Sequence, residues 1–249
     1  MNMLSFNIRG IRGGVKAQTL REFKRVNNTG IMAIQETKMD VVTVDVIAGI
    51  WGNRNFESAS VAAEGQYGGL LWIWDPRVLK IDSSYQNRSF LCISGIVVSC
   101  GTRINLMNVS APQSTVAERS LWSDISNIID SKTGLWVLVG DFNAVRSSEE
   151  RKQSKFKLVC ANNFNEFIFN NGLLEYPMQG RKFTCCRDNG KKLSKLDRFL
   201  VCPKFFNKWS TACVKVLPCL VSDHYPILLE LVKLLDWSTG FRGNGSGCG

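Results

Sequence analysis

Short apolar runs alternate along the chain with segments in which apolar residues recur three or four positions apart. The apolar runs predict strands over residues 3–8, 31–36, 68–74, 91–99, 103–109, 135–139, 195–201 and 227–232. The helical spacing predicts helices over residues 15–26, 118–129 and 164–170. Because strands and helices interleave without a Pro/Ser-rich linker, we expect one α/β domain over residues 1–235. The glycine-rich stretch 236–249 shows no periodicity and predicts a disordered tail.

Several predicted strands contain, or are followed by, an acid or an amide. These residues are Asn7, Glu36, Asn108, Asp141, Asn143, Asp197 and Asp223, with His224 next to the last. In α/β sheets such positions gather at one edge, where loops form a site. Carboxylates and water are ligands that Mg²⁺ prefers. An imidazole with a carboxylate can act as a base or as an acid pair, and an amide can hold a phosphate oxygen. These are the groups that hydrolyse phosphodiesters.

Each of these residues also has a purely structural interpretation. Asp141 and Asn143 lie in GDFN, whose residue types favour turns. Asp197 can form an ion pair with its neighbour Arg198. His224 is the only histidine, and a lone histidine is more often packed and hydrogen-bonded than catalytic. On residue types alone, both interpretations stay open.

The charge of the chain favours an anionic partner. Thirty-one Lys and Arg residues outnumber 21 Asp and Glu residues, which gives a net charge of +10. The basic residues are spread along the chain, which suits a folded surface that contacts phosphates at several points. A soluble protein that happens to be basic is the alternative.

Cellular location is predicted mainly from patterns that the sequence lacks. We find no apolar run of the length a membrane span needs and no secretory signal pattern at the start. The nine cysteines lack CxxC spacing, which favours reduced thiols over a zinc site. We therefore expect a nuclear or cytoplasmic protein that is not secreted and has no membrane partner.

Six short motifs follow one another across residues 5–226: SFNIRG, QETK, NVSAP, GDFN, KLDRFLV and SDHYP. In this order they resemble the endonuclease/exonuclease/phosphatase superfamily. Most of all they resemble the endonuclease domain of plant non-LTR (LINE-type) retrotransposons, which are relatives of the abasic-site repair endonucleases. The resemblance implies a DNase I-like α/β (α+β) fold. In this four-layer sandwich two mixed sheets face each other between helices, and the site lies at one end.

The resemblance also implies the catalytic roles. Asp141 would activate or position the attacking water, with Asn143 beside it. His224 would contact the scissile phosphate, and Asp197 would orient its ring. Asn7 would lie on the metal side of the same site.

The same resemblance implies which residues bind the metal ion and which residues line the substrate. Glu36 would be the principal ligand of Mg²⁺, with Mn²⁺ as an alternative, and Asp223 would help at the metal or at the histidine. Asn108, Ser110 and Thr184 would line the substrate side. Ser110 stands where nuclease members usually carry tyrosine, and Cys185 stands where an aromatic residue is usual.

The resulting hypothesis is a Mg²⁺-dependent DNA endonuclease, acting as a monomer, that leaves a 3′-hydroxyl nick for priming reverse transcription. We see no reverse-transcriptase segment after the domain, which predicts a fragment or a stand-alone copy. The alternative is a catalytically decayed, basic nucleic-acid-binding remnant, which Ser110 and Cys185 favour. A phosphomonoesterase or phospholipid hydrolase is disfavoured, because those branches carry a second site histidine that this chain lacks.

Overall fold

The computed structural model of the protein describes residues 1–65 and 67–231. Its helices are α1 (Gly14–Val26), α2 (Val44–Trp51), α3 (Thr115–Ser131), α4 (Leu158–Asn170) and α5 (Pro203–Lys208). Its strands are β1 (Asn2–Asn7), β2 (Thr29–Gln35), β3 (Glu57–Glu64), β4 (Tyr67–Trp74), β5 (Leu79–Asn87), β6 (Phe90–Val97), β7 (Thr102–Ser110), β8 (Leu135–Asp141), β9 (Arg151–Lys152), β10 (Leu174–Glu175), β11 (Met178–Gln179), β12 (Cys185–Arg187), β13 (Lys192–Ser194), β14 (Asp197–Val201), β15 (Cys213–Val216) and β16 (Ile227–Glu230). None of these helices is long and apolar enough to cross a membrane.

The described strands form two large mixed sheets and one small sheet. The first large sheet has the order β11-β15-β16-β1-β2-β4-β3, and the second has the order β10-β14-β8-β7-β6-β5. The small sheet has the order β12-β13-β9. In the first sheet β1 is parallel to β2 and antiparallel to β16; in the second, β8 is parallel to β7 and antiparallel to β14.

Three apolar clusters show how sheets and helices are stacked. The largest lies between the two large sheets and includes Trp72 of the first sheet. The second joins the outer face of the first sheet to α1 and α2 through residues such as Leu20 and Trp51. The third joins the second sheet to α3 and α4, where Trp122 stacks on Phe167. The order is helices, sheet, sheet, helices, which confirms the predicted four-layer sandwich.

The central strands are apolar on both faces, because each face of each large sheet is covered. In β4, Leu70, Trp72 and Trp74 face the cluster between the sheets, whereas Leu71 and Ile73 face the helices. This alternation follows from the two-residue period of a strand. Strands of this kind appear in a sequence as unbroken apolar runs.

The structure differs from the prediction mainly at its edges. The prediction missed β3 and β5, which are edge strands, and β5 is largely exposed. It also missed α2, a helix of only eight residues. The strand predicted over residues 195–201 begins at Asp197, and the helix predicted over 164–170 begins earlier, at Leu158. The predicted tail, residues 236–249, lies outside the described residues.

The end of β8 requires glycine at position 140. Gly140 has a φ of 134°, and a Cβ atom there would lie 2.0 Å from the carbonyl oxygen of Val109 on β7. This close approach belongs to the stretch where β7 and β8 pair up to Ser110 and Asp141. Gly140 therefore fixes the position from which Asp141 projects.

Candidate active site

The polar residues at the strand ends converge at one end of the sandwich. Because β1 and β2 are parallel, Asn7 pairs with Gln35 and lies beside Glu36, the residue that follows β2. In the second sheet, Asp197 at the start of β14 pairs with Asp141 at the end of β8. Nδ2 of Asn7 donates a hydrogen bond of 2.9 Å to Oδ2 of Asp141 and so links the two sheets.

His224 lies in the segment before β16 and is fully buried. Its Nδ1 is 2.9 Å and 3.1 Å from the two carboxylate oxygens of Asp197. Its Nε2 lies 3.7 Å from Oδ2 of Asp141 and has no hydrogen-bond partner among the described residues. One carboxylate therefore orients the imidazole, and the other ring nitrogen is left for a group that enters the site.

The carboxylate of Asp141 is surrounded by donors. Its Oδ1 accepts a hydrogen bond of 2.9 Å from the backbone N–H of Asn143. Asn143 has a φ of 49°, a left-handed conformation that asparagine adopts more readily than most residues. Its Nδ2 donates to the carbonyl oxygen of Ala111 over 2.6 Å. The first two residues of GDFN thus end β8, and Asp141 and Asn143 both belong to the site.

Burial and neighbouring charges shift the pKa values of His224 and Asp141. Burial acts to lower the pKa of His224, but the charges of Asp197 and Asp141 outweigh it and hold this pKa well above its usual range. Burial raises the pKa of Asp141, and neither the charge of His224 nor the hydrogen bonds from Asn143 and Asn7 cancel this effect. Both shifts favour the protonated forms: the imidazole holds its proton more strongly than an ordinary histidine, beside a carboxyl group that takes up a proton more readily than an ordinary aspartate.

Glu36 lies at the more open side of this cluster. Its side chain is 22% exposed, and Nζ of Lys38 lies 4.0 Å from its Oε2. Its Oε1 accepts a hydrogen bond of 3.3 Å from Nδ2 of Asn7. Mg²⁺ in enzymes commonly takes one or two carboxylates, and water and substrate phosphate complete its shell. A carboxylate that is held on one side and accessible on the other fits that requirement.

A deeper set of candidate ligand atoms fits a cation less well. One atom each from Asp141, Asp197 and His224 lies within 4.8 Å of the others. The hydrogen bond between Asp197 and His224 accounts for this closeness, and all three side chains are buried. An ion at this position would compete with the imidazole for Asp197, so the geometry favours Glu36 as the metal-side residue.

Asp223, predicted at the metal or at the histidine, forms ion pairs with two arginines. Its Oδ1 lies 2.7 Å from Nε of Arg9, and its Oδ2 lies 3.2 Å from Nε of Arg187. Ligand atoms of Asp223, Cys185 and His224 also fall within 4.8 Å of one another. Both carboxylate oxygens of Asp223 are nevertheless engaged by guanidinium groups.

Asn108 and Thr184, predicted on the substrate side, are both fully buried. Nδ2 of Asn108 donates to backbone carbonyl oxygens of β2 and β4 over 3.1 and 3.2 Å, which ties the two sheets together. Oγ1 of Thr184 accepts hydrogen bonds from the backbone N–H groups of Leu196 and Asp197, each 2.9 Å long. The structure therefore places both side chains in the framework of the site and does not bring them to its open face.

A cavity of about 230 Å³ borders the site at Asn143 and Cys185. The basic residues in its wall are Arg151, Lys157, Arg187 and Lys192. Ser110 is half-buried at the end of β7, next to Asp141 in the sheet, and does not line this cavity. Cys185 forms part of the wall where the resemblance implies an aromatic residue.

A second cavity, of about 290 Å³, lies on the side of the site where Lys38 neighbours Glu36, the predicted metal ligand. Its lining residues are Arg9, Gly10, Arg12, Lys16, Lys38 and Gly65. Nζ of Lys16 donates to the carbonyl oxygens of Ile8 and Arg9 over 2.8 and 3.0 Å, which holds the loop after β1. The cations at both cavities were missed as site residues, and the only signal for them was the spread of basic residues along the chain.

A buried charge cluster behind β14 was not predicted from the sequence. Arg198 is fully buried and forms ion pairs with Glu150 and, at 3.0 Å, with Glu175. Lys195 adds a contact of 2.6 Å to Glu175. Arg198 is therefore not the partner of Asp197, because adjacent side chains in a strand point to opposite faces.

The chain is thus a four-layer α+β sandwich with acids and a histidine at one end, the residue types that phosphoester hydrolysis uses. The chain belongs to the endonuclease/exonuclease/phosphatase family, whose sequence profile matches residues 4–224. Members of this family are hydrolases that act on phosphodiester bonds. No curated protein sequence matches the chain.

Solved structures share the fold at low sequence identity. The AP endonuclease LMAP from Leishmania major is 17% identical, with a TM-score of 0.70 over 92% of this chain and 86% of that one. The 3′ phosphatase NExo from Neisseria, bound to a product DNA hairpin, is 17% identical, with a TM-score of 0.70 over 94% and 100%. The endonuclease domain of TRAS1, a telomere-specific non-LTR retrotransposon, is 14% identical, with a TM-score of 0.68 over 92% and 97%.

Proposed function

We propose that the protein is a divalent-metal-dependent DNA endonuclease that cuts one phosphodiester bond and leaves a 3′-hydroxyl nick. The observation that carries this proposal is Nε2 of His224, which has no hydrogen-bond partner within residues 1–65 and 67–231, in a ring oriented by Asp197 and 3.7 Å from Asp141. Hydrogen bonds of Asn7 connect Asp141 to the part-exposed Glu36. An imidazolium, a buried carboxylate and an accessible carboxylate are the groups that this hydrolysis needs.

Each residue of the cluster has a task in this reaction. The imidazolium of His224 would donate a hydrogen bond to a phosphate oxygen and stabilise the charge that develops there. Asp197 holds the ring by its Nδ1 and supports its positive charge. Asp141 would orient or deprotonate the attacking water, with the amide of Asn143 beside it.

Glu36 is the residue that would hold Mg²⁺, or Mn²⁺ in its place, and Asn7 fixes its carboxylate. When bound, such a cation supplies charge stabilisation at the phosphoryl oxygens and at the leaving group. The support for this assignment is a carboxylate oxygen, the donor type that Mg²⁺ prefers, with a fifth of its side chain open to solvent.

DNA as the substrate is supported by charge and by relatives. The net charge is +10, and two cavities lined by basic residues flank the site. The solved relatives include an AP endonuclease, a phosphatase bound to product DNA and a retrotransposon endonuclease domain. We further propose that the chain acts as a monomer in the nucleus, as part of a plant-type LINE element, where its nick would prime reverse transcription.

A second candidate is a nucleic-acid-binding domain without catalysis. The observation that favours it is burial: Asp141 is 1% exposed and His224 is not exposed. A phosphate group reaches Nε2 of His224 only if the surrounding side chains move aside. If these side chains stay in place, the basic cavities could still bind a DNA strand without cleavage.

Relaxation of supercoiled plasmid by the purified protein separates the two candidates. The endonuclease proposal expects nicking with Mg²⁺, none with EDTA, and loss of nicking in Asp141→Ala and His224→Ala variants that remain folded. Extension of the nick by a DNA polymerase would verify the 3′-hydroxyl group. Retarded but uncut DNA would leave only the binding domain.

A further inference from the structure

Asp223 forms the centre of a bridge between three separate segments of the chain. Arg9 comes from the loop after β1, Arg187 from the end of β12, and Asp223 from the segment before β16. The contacts are 2.7 Å from Nε of Arg9 and 3.2 Å from Nε of Arg187, each to a different carboxylate oxygen. Each carboxylate oxygen therefore lies in an ion pair with a guanidinium, but only the contact from Arg187 is a hydrogen bond; Oδ1 of Asp223 has no hydrogen-bond partner among the described residues.

Two positive charges beside Asp223 disfavour a cation as its ligand. A metal ion bound there would have to displace at least one arginine and would be repelled by the other. The neighbouring donors Cys185 and His224 are softer than the oxygen ligands that Mg²⁺ selects. Nδ1 of His224 is already engaged by Asp197. The surroundings of Asp223 thus suit a residue that anchors arginines.

The two arginines keep most of their donors available. Each guanidinium has five N–H groups. Nε of Arg187 donates a hydrogen bond to Asp223, whereas Nε of Arg9 lies in an ion pair with Asp223 without donating a hydrogen bond. Neither contact uses the outer nitrogens. The side chains of Arg9 and Arg187 are 33% and 38% exposed. Nη2 of Arg187 is buried and has no hydrogen-bond partner among the described residues. A guanidinium fixed at one edge presents the donor pattern that matches phosphate oxygens.

The backbone also holds both arginines in place. Arg9 has a left-handed φ of 50°, its N–H donates to Oδ1 of Asn7 over 3.3 Å, and its carbonyl oxygen accepts from Lys16. Arg187 pairs with Lys192 in the β12–β13 hairpin. Cys186, next to Arg187, donates its N–H to the carbonyl oxygen of Asp223 over 2.7 Å.

The bridge stands between the two basic cavities. Arg9 lines the cavity on the metal side together with Arg12, Lys16 and Lys38. Arg187 lines the cavity on the Asn143 side. A strand that passed the catalytic histidine, which follows Asp223 directly in the chain, would meet both arginines.

We propose that Asp223 is a positioning residue and not a metal ligand, and that it holds Arg9 and Arg187 as a two-arginine clamp on the phosphodiester backbone of the substrate strand. The proposal rests on the proposed function, because the strand that is gripped is the one to be cut. Its ligand class is a polynucleotide, recognised through phosphate groups and not through bases.

The salt dependence of DNA binding tests the clamp without requiring cleavage. The affinity of a fluorescent duplex oligonucleotide is measured in EDTA over a range of salt concentrations. The slope of log affinity against log salt is negative, and loss of one phosphate contact reduces its magnitude by about 0.9 in duplex DNA. We expect Arg9→Gln and Arg187→Gln each to reduce the magnitude of the slope by this amount.

Arg103→Gln is the matched control for charge. Arg103 forms a similar ion pair with Asp82, 2.7 Å long, near the end of β7 opposite to Ser110. The Arg103→Gln variant loses the same unit of charge at a position away from the site. The slope of log affinity against log salt should therefore stay at the wild-type value in this variant. Equal slopes in all three variants and the wild type would overturn the clamp, and so would a wild-type protein that binds no DNA.

Asp223→Asn tests the aspartate itself in the nicking assay. A positioning role predicts a higher KM for DNA with an unchanged Mg²⁺ concentration at half-maximal rate. A metal ligand predicts that this concentration rises at least about tenfold, which would overturn the assignment. If the wild type binds but does not cut DNA, the endonuclease proposal fails, and the salt slopes alone still decide on the clamp.

Discussion

At the scale of single residues, the proposed chemistry depends on how one imidazole is held. Burial alone would lower the pKa of His224 and favour the neutral ring. Asp197 and Asp141 reverse this effect and raise the pKa of His224, which favours the protonated ring. Nε2 has no hydrogen-bond partner among the described residues and is therefore available to a group that enters the site.

Thr184 offers a test of how the partner of His224 is positioned. Its Oγ1 accepts the N–H groups of Leu196 and Asp197 at the start of β14. Thr184→Val keeps the shape but leaves two buried donors without a partner, at a cost of about 1–3 kcal/mol each. We expect a lower free energy of unfolding by chemical denaturation and slower nicking, because Asp197 is displaced.

The matched variant is Thr184→Ser, which retains the hydroxyl group. It should keep nearly the wild-type stability and nicking rate, apart from the small loss of a buried methyl group. If the valine and serine variants were equally active and equally stable, the hydroxyl group of Thr184 would have no role in placing Asp197.

At the scale of elements, β14 carries two adjacent side chains to opposite sides of the sheet. Asp197 reaches the site, whereas Arg198 reaches the outer side and lies 5.6 Å from the ring centroid of Phe164 on α4. Arg198 there binds Glu175 of β10 and Glu150, which immediately precedes β9. The buried cluster thus fixes the strand that positions the partner of the histidine.

The pH dependence of stability tests this cluster through Glu175. Burial acts to raise the pKa of Glu175, but the charges of Arg198 and Lys195 outweigh it and hold this pKa below its ordinary value. Such a carboxyl group stabilises the fold above its unfolded pKa and loses this contribution as pH falls through its folded pKa. Glu175→Gln should lower the free energy of unfolding at neutral pH by about 2 kcal/mol, less than for a fully broken buried pair because Glu150 remains.

The difference between Glu175→Gln and the wild type should shrink as pH falls below 4.5, the ordinary glutamate value. Chemical denaturation of both proteins at several pH values measures this difference in the free energy of unfolding. Glu149→Gln, at an exposed neighbour of Glu150, is the control and should change stability little at any pH. A Glu175→Gln variant with an unchanged free energy of unfolding at neutral pH would contradict the stabilising role of the cluster.

At the scale of the whole molecule, the sandwich could be predicted where its strands are buried on both faces. β4 and β8 are continuous apolar runs, because one face contacts the other sheet and the other face contacts helices. The edge strands β3 and β5 carry no such pattern, since much of their surface faces solvent. Strands of two or three residues, such as β9 and β12, are too short for any periodicity.

The candidate site was predictable as a set of residues but not in all its contacts. Asn7, Glu36, Asp141, Asp197 and His224 converge as the motifs indicated. The sequence did not show which polar side chains face inward. Asn108 and Thr184, which were expected to contact the substrate, are buried and form hydrogen bonds within the framework of the site. The two arginines that contact Asp223 come from distant segments of the chain, and no local sequence pattern predicts contacts of this kind.

The most direct test of the endonuclease proposal is the single-turnover cleavage rate of an end-labelled DNA duplex by the wild type and by Asp141→Asn. Asparagine keeps the shape and can still accept the N–H of Asn143, but it cannot carry the charge or accept the proton. With Mg²⁺ present, the wild type should cut one strand, and the variant should be slower by about 10²- to 10⁴-fold. Cleavage by the variant at the wild-type rate, or no cleavage by a folded wild-type protein that binds the duplex, would contradict the proposed function.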